Sequence, residues 1–247
     1  MSITTTAVRT AEPTTRPAFP TALNRRVALG GACWLLVLVF FVGQAVAQVA
    51  MKTPYSFITN EISDLGSTTC GPVTVLTYHV IVCSPLHQVM NATFIVAGLL
   101  TVLGAIGTRP AWPRRRLTTW GLAFLALSGV SEMGVGLAPE DVHPALHVAA
   151  SIPGILGLSV AVLLLGGAVW RARRWTAAYS LVSGAVGLFG FFIAPSLGVG
   201  TGAAERLAGY PGVAWQIVLG VFLLWSATRS RGASTRSGAG REAVAGD

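Results

Sequence analysis

Six long apolar stretches alternate with short polar segments along the 247 residues of this chain. Each stretch approaches the ~20 apolar residues that an α-helix needs to cross a bilayer. The pattern predicts an all-α, polytopic membrane protein whose six transmembrane helices pair into three hairpins. The predicted spans are 27–48, 85–106, 117–137, 144–169, 176–197 and 211–227, within a transmembrane domain of residues 25–227.

The two ends of the chain differ from this domain in composition. Residues 1–24 and 228–247 have no apolar periodicity, and the sequence predicts that both are disordered tails. The first apolar stretch contains Ala45-Val46-Ala47, which resembles a signal-peptidase site, so cleavage is an alternative to an uncleaved anchor. The apolar run is longer than the usual ~7–15 residues of a signal peptide, which favours the anchor.

Proline and glycine mark the predicted helix ends. Pro85, Pro144 and Pro211 each follow a predicted outer loop, and proline suits the first turn of a helix because its missing N–H has no partner there. In the long first loop, residues 59–66 predict a short helix that is closed by Gly66.

The basic residues indicate the orientation of the bundle. All except Lys52 and Arg206 fall before the first span, after the last span, or in the second and fourth gaps between the spans. Lys and Arg near span ends mark the cytoplasmic side, so the sequence predicts a multi-pass plasma-membrane protein with both termini in the cytoplasm. Because the arginines are dispersed through short loops, they disfavour nucleic-acid binding and favour contact with membrane lipids.

The histidines and most of the acidic residues fall on the opposite, outer side, which is where the sequence places any chemistry. Glu132 lies about five residues inside the outer end of the third span, hence ~7 Å deep. A carboxyl at that depth is costly, so it faces the bundle interior with a partner or in a protonated form. It is either a catalytic group or a hydrogen-bonding group that fixes helix packing.

Histidine spacing raises the possibility of zinc as a cofactor. His143 and His147 are four residues apart at the predicted start of the fourth helix, so their imidazoles share one face. His87 sits at a matching depth on the second span and is the third candidate ligand. The alternative is that these are interfacial histidines that bond to loop backbone or to lipid headgroups.

Other outer residues complete the candidate site. Glu61 and Asp64 join Glu132 as candidate catalytic residues, although Asp64 also suits a capping role. Glu140 and the pair Glu205-Arg206 are candidate substrate-binding residues; an ion pair with loop neighbours is the simplest interpretation of the pair, and an anionic headgroup is an alternative partner for Arg206. Cys70 and Cys83 share the first outer loop, where an oxidising compartment permits a disulfide that sequence spacing cannot establish.

Four short segments, in this order, resemble the domain-of-unknown-function family numbered 998. They are Ile62-Ser63-Asp64-Leu65-Gly66, the run from Asn91 to Leu100, Gly136-Leu137-Ala138-Pro139-Glu140 followed by His147, and Gly202-Ala203-Ala204-Glu205-Arg206-Leu207 followed by Trp215. The resemblance implies a six-helix integral membrane protein, mostly prokaryotic, and implies no established reaction. It also singles out Asp64, Glu140, His147, Glu205 and Arg206.

Three functional hypotheses follow. The first is a membrane bundle whose outward-facing polar pocket binds a lipidic or isoprenoid molecule. The second is an intramembrane enzyme on such a substrate, either a zinc-dependent hydrolase that uses the three histidines or an acid-initiated, terpene-type cyclase that uses Glu132 or Glu61. The third, a small-solute transporter, is disfavoured because the sequence has no broken-helix pair and no convincing inverted repeat.

Overall fold

The computed structural model describes the backbone of residues 25–244 and the side chains of residues 25–226. The predicted tails, 1–24 and 228–247, lie outside the residues whose side chains are described. The helices are α1 (Arg25–Leu36), α2 (Val39–Val49), α3 (His87–Thr108), α4 (Arg116–Leu137), α5 (Pro144–Val169), α6 (Arg174–Phe192) and α7 (Thr201–Val244).

Six helical segments in the described part are long and apolar enough to cross a membrane, which confirms the predicted fold class. The first of them is the pair α1 and α2, which run on from each other after a short irregular stretch at Val37 and Leu38. The α5 bounds match the predicted span. The first, second, third and fifth spans differ from their predicted bounds by a few residues at their ends, and the last span differs by more.

The last helix begins ten residues before its predicted start, because Pro211 lies inside α7 and not in its first turn. Proline removes one backbone hydrogen bond, but neighbouring helices and local adjustments compensate for this loss within membrane bundles. Glu205 and Arg206, predicted in an outer loop, are therefore on the first turns of α7.

The helices form a closed ring in which each packs against its sequence neighbours and α1 closes the ring against α7. Glycines allow the backbones to come very close: a Cβ at Gly30 would lie 2.7 Å from the carbonyl carbon of Gly107, and one at Gly220 would lie 2.6 Å from the carbonyl oxygen of Gly31. Helices α3 and α7 thus hold α1 between them without intervening side chains.

The two ends of the bundle differ. We call the end with segments 50–86, 138–143 and 193–200 the loop end, and the end with the turns at 109–115 and 170–173 the arginine end. The loop end carries a β-hairpin that the sequence did not predict, with strands β1 (Gly71–Val75) and β2 (Tyr78–Val82) paired antiparallel. Cys70 and Cys83, directly outside the paired strands, form a disulfide, which settles the pairing that spacing alone left open.

The short helix predicted at 59–66 is present only as a 3-10 turn, Ser63–Gly66. Gly66 has a different role from the predicted one, since it does not adopt the left-handed conformation that closes a helix. A Cβ at Gly66 would lie 2.3 Å from Asn91 Oδ1, so glycine is needed there for close approach to α3. The Asn91 side-chain amide donates to the Gly66 carbonyl oxygen at 2.9 Å and fixes the turn on the bundle.

Candidate functional site

A small chamber lies inside the bundle towards the loop end. Its volume is about 90 Å³, and apolar side chains from five helices form most of its wall. Polar groups reach it from α4, α5, α7 and the 3-10 turn. They are Ser63, Ser128, Glu132, His147, Ser151 and Glu205.

Glu132 projects from α4 into the chamber. Its side chain is half-buried and contributes to the chamber wall. Its carboxyl makes no hydrogen bond or ion pair with the side chains of residues 25–226. The carboxyl faces the interior, as the sequence predicts, and of the two predicted alternatives, a partner or a protonated form, no partner is found in the described part of the chain.

His147 approaches the same chamber from α5. Its Nδ1 lies 2.8 Å from the Ala138 carbonyl oxygen and, because a carbonyl only accepts, Nδ1 carries the proton. In the neutral ring this leaves Nε2 as an acceptor. Ser151, one turn later, donates to the His147 carbonyl oxygen at 2.8 Å and lines the chamber beside the imidazole.

A larger groove of about 580 Å³ adjoins the chamber. The end of α6, the start of α7, the loop-end half of α5 and the hairpin turn enclose it. Five residues line both spaces and so form the passage between them. They are Ser63, His147, Ser151, Ile155 and Glu205.

A pair of carboxyl groups lies beneath the hairpin. Asp64 Oδ2 accepts hydrogen bonds from Asn60 Nδ2 at 2.8 Å and from the Tyr78 hydroxyl at 2.7 Å, while Glu140 Oε1 accepts from the Ser67 hydroxyl at 3.0 Å. Asp64 and Glu140 are almost completely buried. Their second oxygens, Asp64 Oδ1 and Glu140 Oε2, receive no donor from the described residues, yet the two carboxyls are close enough to hydrogen-bond to each other.

Burial and the neighbouring charge of Asp64 raise the pKa of Glu140 well above its ordinary value. A proton on Glu140 lets the two carboxyls hydrogen-bond, whereas two carboxylates at this distance would repel each other. Through this hydrogen bond the pair joins the 3-10 turn to the α4–α5 loop.

Glu61 belongs to the same acidic group. Burial, followed by the nearby charge of Asp64, raises the pKa of Glu61 from 4.5 to about 7. The Ser63 hydroxyl donates weakly to it at 3.4 Å, and Arg206 and Glu205 are its other charged neighbours. Glu205, on α7, accepts a short hydrogen bond from the backbone N–H of Ile62.

We expect the stability of the protein to fall as the pH rises from about 4.5 to 7, because folded Glu61 keeps its proton over this range and the unfolded residue loses it. Replacement of Glu61 with glutamine removes this titration. Thermal unfolding of purified protein between pH 5 and 8 should therefore show a shallower pH dependence in Glu61→Gln than in wild type. An equal pH dependence of the thermal midpoint in both proteins would contradict the raised pKa of Glu61.

Arg206 fastens the loop between α2 and α3, which the sequence predicts to be the first outer loop, to α7. Its Nη1 donates to the carbonyl oxygens of Asn60 at 2.7 Å, Gly202 at 2.8 Å and Phe57 at 3.2 Å, and its Nη2 donates to the Tyr55 hydroxyl. Its guanidinium carbon also lies 4.9 Å from the centre of the Phe57 ring. The sequence predicts that Arg206 forms an ion pair with loop neighbours. Within residues 25–226, its guanidinium group instead contacts carbonyl oxygens and aromatic side chains.

Asp141 fixes the other side of the loop end. One of its oxygens, Oδ2, accepts from the backbone N–H and the hydroxyl of Thr68 and Thr69, all at 2.9 to 3.0 Å. Burial opposes ionisation, but these four donors outweigh it and lower the pKa of Asp141. Asp141 is therefore a carboxylate that anchors the loop.

The predicted zinc ligands do not come together. Among residues 25–226, no three His, Cys, Asp or Glu side chains are arranged to hold a metal ion. His143 is exposed at the N-cap of α5 with a non-helical backbone, so it does not share a helical face with His147. His87 bonds through Nδ1 to the Ser84 carbonyl oxygen at 3.0 Å. The zinc-dependent hydrolase therefore lacks its ligand set.

Several polar groups of the site were not predicted from the sequence. Tyr55, Asn60, Ser67 and Tyr78 hold the acidic group and Arg206 in place. Tyr78 reaches Asp64 only because the hairpin folds back over the bundle, a long-range arrangement with no local sequence signal. Tyrosine and serine in a polar loop carry no pattern that distinguishes them from solvent-exposed residues.

Comparison with known proteins identifies the family of the chain but no relative of known function. No curated protein and no solved structure matches the chain. A family model described as "Protein of unknown function (DUF998)" matches residues 35–222. This range includes the four middle spans, most of the first and last spans, the acidic group, Arg206 and the chamber residues, so the chain belongs to the DUF998 family of proteins of unknown function.

Proposed function

We propose that this protein binds a lipidic or isoprenoid molecule in the chamber and the adjoining groove. The observation that carries the proposal is the position of Glu132, whose carboxyl faces an apolar-walled chamber without a partner among the described residues. Ligand sites commonly combine apolar walls with a few polar groups that fix orientation. A ligand with a long apolar part and a hydroxyl or similar polar head meets both requirements.

The groove supports entry from the side of the bundle. Its walls include Ile152 and Leu76, whose side chains are largely exposed at the bundle surface. Leu76, at the hairpin turn, has φ of +52°, a region where glycine or asparagine is usual. A leucine in that position, with 80% of its surface exposed, suits contact with acyl chains at the groove mouth.

Two features support a cytoplasmic arginine end and an extracytoplasmic loop end in the plasma membrane. Arginines occupy the turns at 109–115 and 170–173, as the positive-inside rule requires for cytoplasmic loops. The Cys70–Cys83 disulfide at the loop end fits an oxidising compartment. The ligand then enters from the outer leaflet, and both termini are cytoplasmic.

Gly209→Phe tests the ligand site. Gly209 lines the chamber, and a Cβ there meets nothing within 4 Å, so the aromatic ring fills the chamber without a backbone clash. We expect the molecule that co-purifies with wild type to fall about tenfold, since overpacking costs on the order of 1–3 kcal/mol. The measurement is mass spectrometry of the organic extract from protein purified in mild detergent.

Gly167→Phe is the matched control. Gly167 lies in α5 outside the chamber, and its Cβ would meet only a flexible Leu117 methyl group at 3.6 Å. This variant should retain wild-type amounts of the co-purifying molecule. Equal retention by both variants, with both folded, would reject the chamber as the binding site.

The same unpartnered carboxyl favours a second candidate, an enzyme that protonates its bound isoprenoid from Glu132. A carboxyl in apolar surroundings suits general-acid catalysis towards an olefin or epoxide. An enzyme that protonates its ligand should co-purify with both the substrate and its product. This function gains support if the wild-type extract contains both forms and the Glu132→Gln extract contains the substrate alone. A single, identical form in both favours binding alone.

A further inference from the structure

A second concave site lies at the arginine end, on the far side of the bundle from the chamber. It is a depression of about 630 Å³ at the turn between α3 and α4, which we call the arginine cavity. Six residues line it, and four of them are arginines. They are Arg109, Arg114, Arg115, Arg116, Thr119 and Trp120.

The four guanidinium groups lack acidic partners in the described part of the chain. All acidic residues of this part lie at the loop end or in the loop-end halves of α4 and α7, and none lies near the α3–α4 turn. Four positive charges around one depression repel one another. An anion bound in the depression offsets this repulsion. Rules of membrane topology require basic residues in the turn, but they do not require them to converge.

The turn is held rigidly by a buried aromatic cluster. Trp112, only 3% exposed, packs between Trp34 and Trp215 at centroid distances of 6.4 and 6.2 Å. Pro110 and Pro113 restrict the backbone on either side of Trp112. Since the turn cannot relax, the arginines on both sides of Trp112 stay around the cavity, which gives the preorganised geometry that tight binding requires.

The depth of the cavity indicates where its anion comes from. Trp120 lines the cavity and is 61% exposed, and three other exposed tryptophans lie at the same end of the bundle, at Trp170, Trp175 and Trp225. Exposed tryptophans concentrate at the level of lipid headgroups. The cavity therefore opens at headgroup depth, and its arginines are within reach of phosphodiester groups.

We propose that the arginine cavity binds the headgroup of one anionic phospholipid. The guanidinium groups hold the phosphodiester, to which arginine is well matched by its planar arrangement of donors. Trp120 and Thr119 bound the side of the cavity towards the acyl chains. The α4 N-terminus begins at Arg116, and its unpaired N–H groups add positive potential on the same side.

The test measures lipid binding to delipidated full-length protein by native mass spectrometry. Phosphatidylglycerol is titrated against phosphatidylcholine, with Arg114→Gln/Arg116→Gln as the cavity variant. Arg171→Gln/Arg174→Gln is the control, because it removes the same charge at the same end from residues that do not line the cavity. We expect the cavity variant to lose about tenfold or more in affinity for one phosphatidylglycerol, and the control to lose less than about threefold.

Equal losses in both double variants would overturn the proposal, because they would assign the binding to general surface charge. Displacement of phosphatidylglycerol by inorganic phosphate at the same concentration would also overturn it, because the ligand would then be a soluble anion. If the cavity variant fails to insert, Thr119→Trp blocks the cavity while keeping every charge. Retention of full phosphatidylglycerol affinity by this variant would be a third contrary result.

Discussion

Arg206→Met is expected to release the first outer loop from the bundle. The substitution leaves three backbone carbonyl oxygens and the Tyr55 hydroxyl without their shared donor, in a place that excludes water. A buried hydrogen-bonding group that is left without a partner costs about 1–3 kcal/mol. We therefore expect a clearly lower thermal midpoint and rapid hydrogen exchange in residues 55–66.

Two further variants sharpen this prediction. Arg206→Lys keeps the charge but cannot reach acceptors on both sides, so it should recover only part of the lost stability. Arg174→Met removes an exposed arginine at the other end of the bundle and should change the midpoint little. Equal thermal midpoints for Arg206→Met and Arg174→Met would show that Arg206 does not hold the loop on the bundle.

Cys70→Ser/Cys83→Ser should loosen the hairpin without unfolding the helices. An isolated two-stranded hairpin is marginally stable in water, so this one depends on its disulfide and on its contacts with the bundle. Closure of a loop of this length contributes about 3 kcal/mol. We expect hydrogen exchange of the strand amides in residues 71–82 to accelerate about a hundredfold, measured by mass spectrometry.

Cys33→Ala is the control for thiol removal, because Cys33 is a free cysteine in α1. Its hairpin should exchange as in wild type. Treatment of wild type with a reducing agent should reproduce the effect of the double variant. Slow exchange in the hairpin after both treatments would mean that contacts with the bundle alone hold it.

The sequence predicts the transmembrane fold well because each span is encoded locally. An apolar run of sufficient length must form a helix in lipid, whatever its neighbours are. Pro144 marks the start of α5 correctly, since it lies at the first helical position. Pro211 misled the prediction because the same residue is tolerated inside a membrane helix, and only packing distinguishes the two cases.

The site is less predictable because it is assembled from distant segments. Charge asymmetry places Asp64 and Glu140 on one side of the bundle, but their contact joins residues 76 positions apart and leaves no local pattern. Helical spacing wrongly paired His143 with His147, because His143 is the N-cap of α5 and its backbone is not helical. The buried carboxyl of Glu132 could be predicted, since its depth depends on the span alone.

The glycine contacts of α1 determine which parts of the bundle can move. The backbones of three helices meet at two glycine pairs, Gly30 with Gly107 and Gly31 with Gly220. They lie so close that one helix cannot slide along another without a steric clash. Helices α1, α3 and α7 thus form a rigid unit. Gly190 against Ala208 and Gly184 against Ser159 restrict α6 in the same way, which leaves side chains and the loops at the loop end as the parts with most freedom to rearrange.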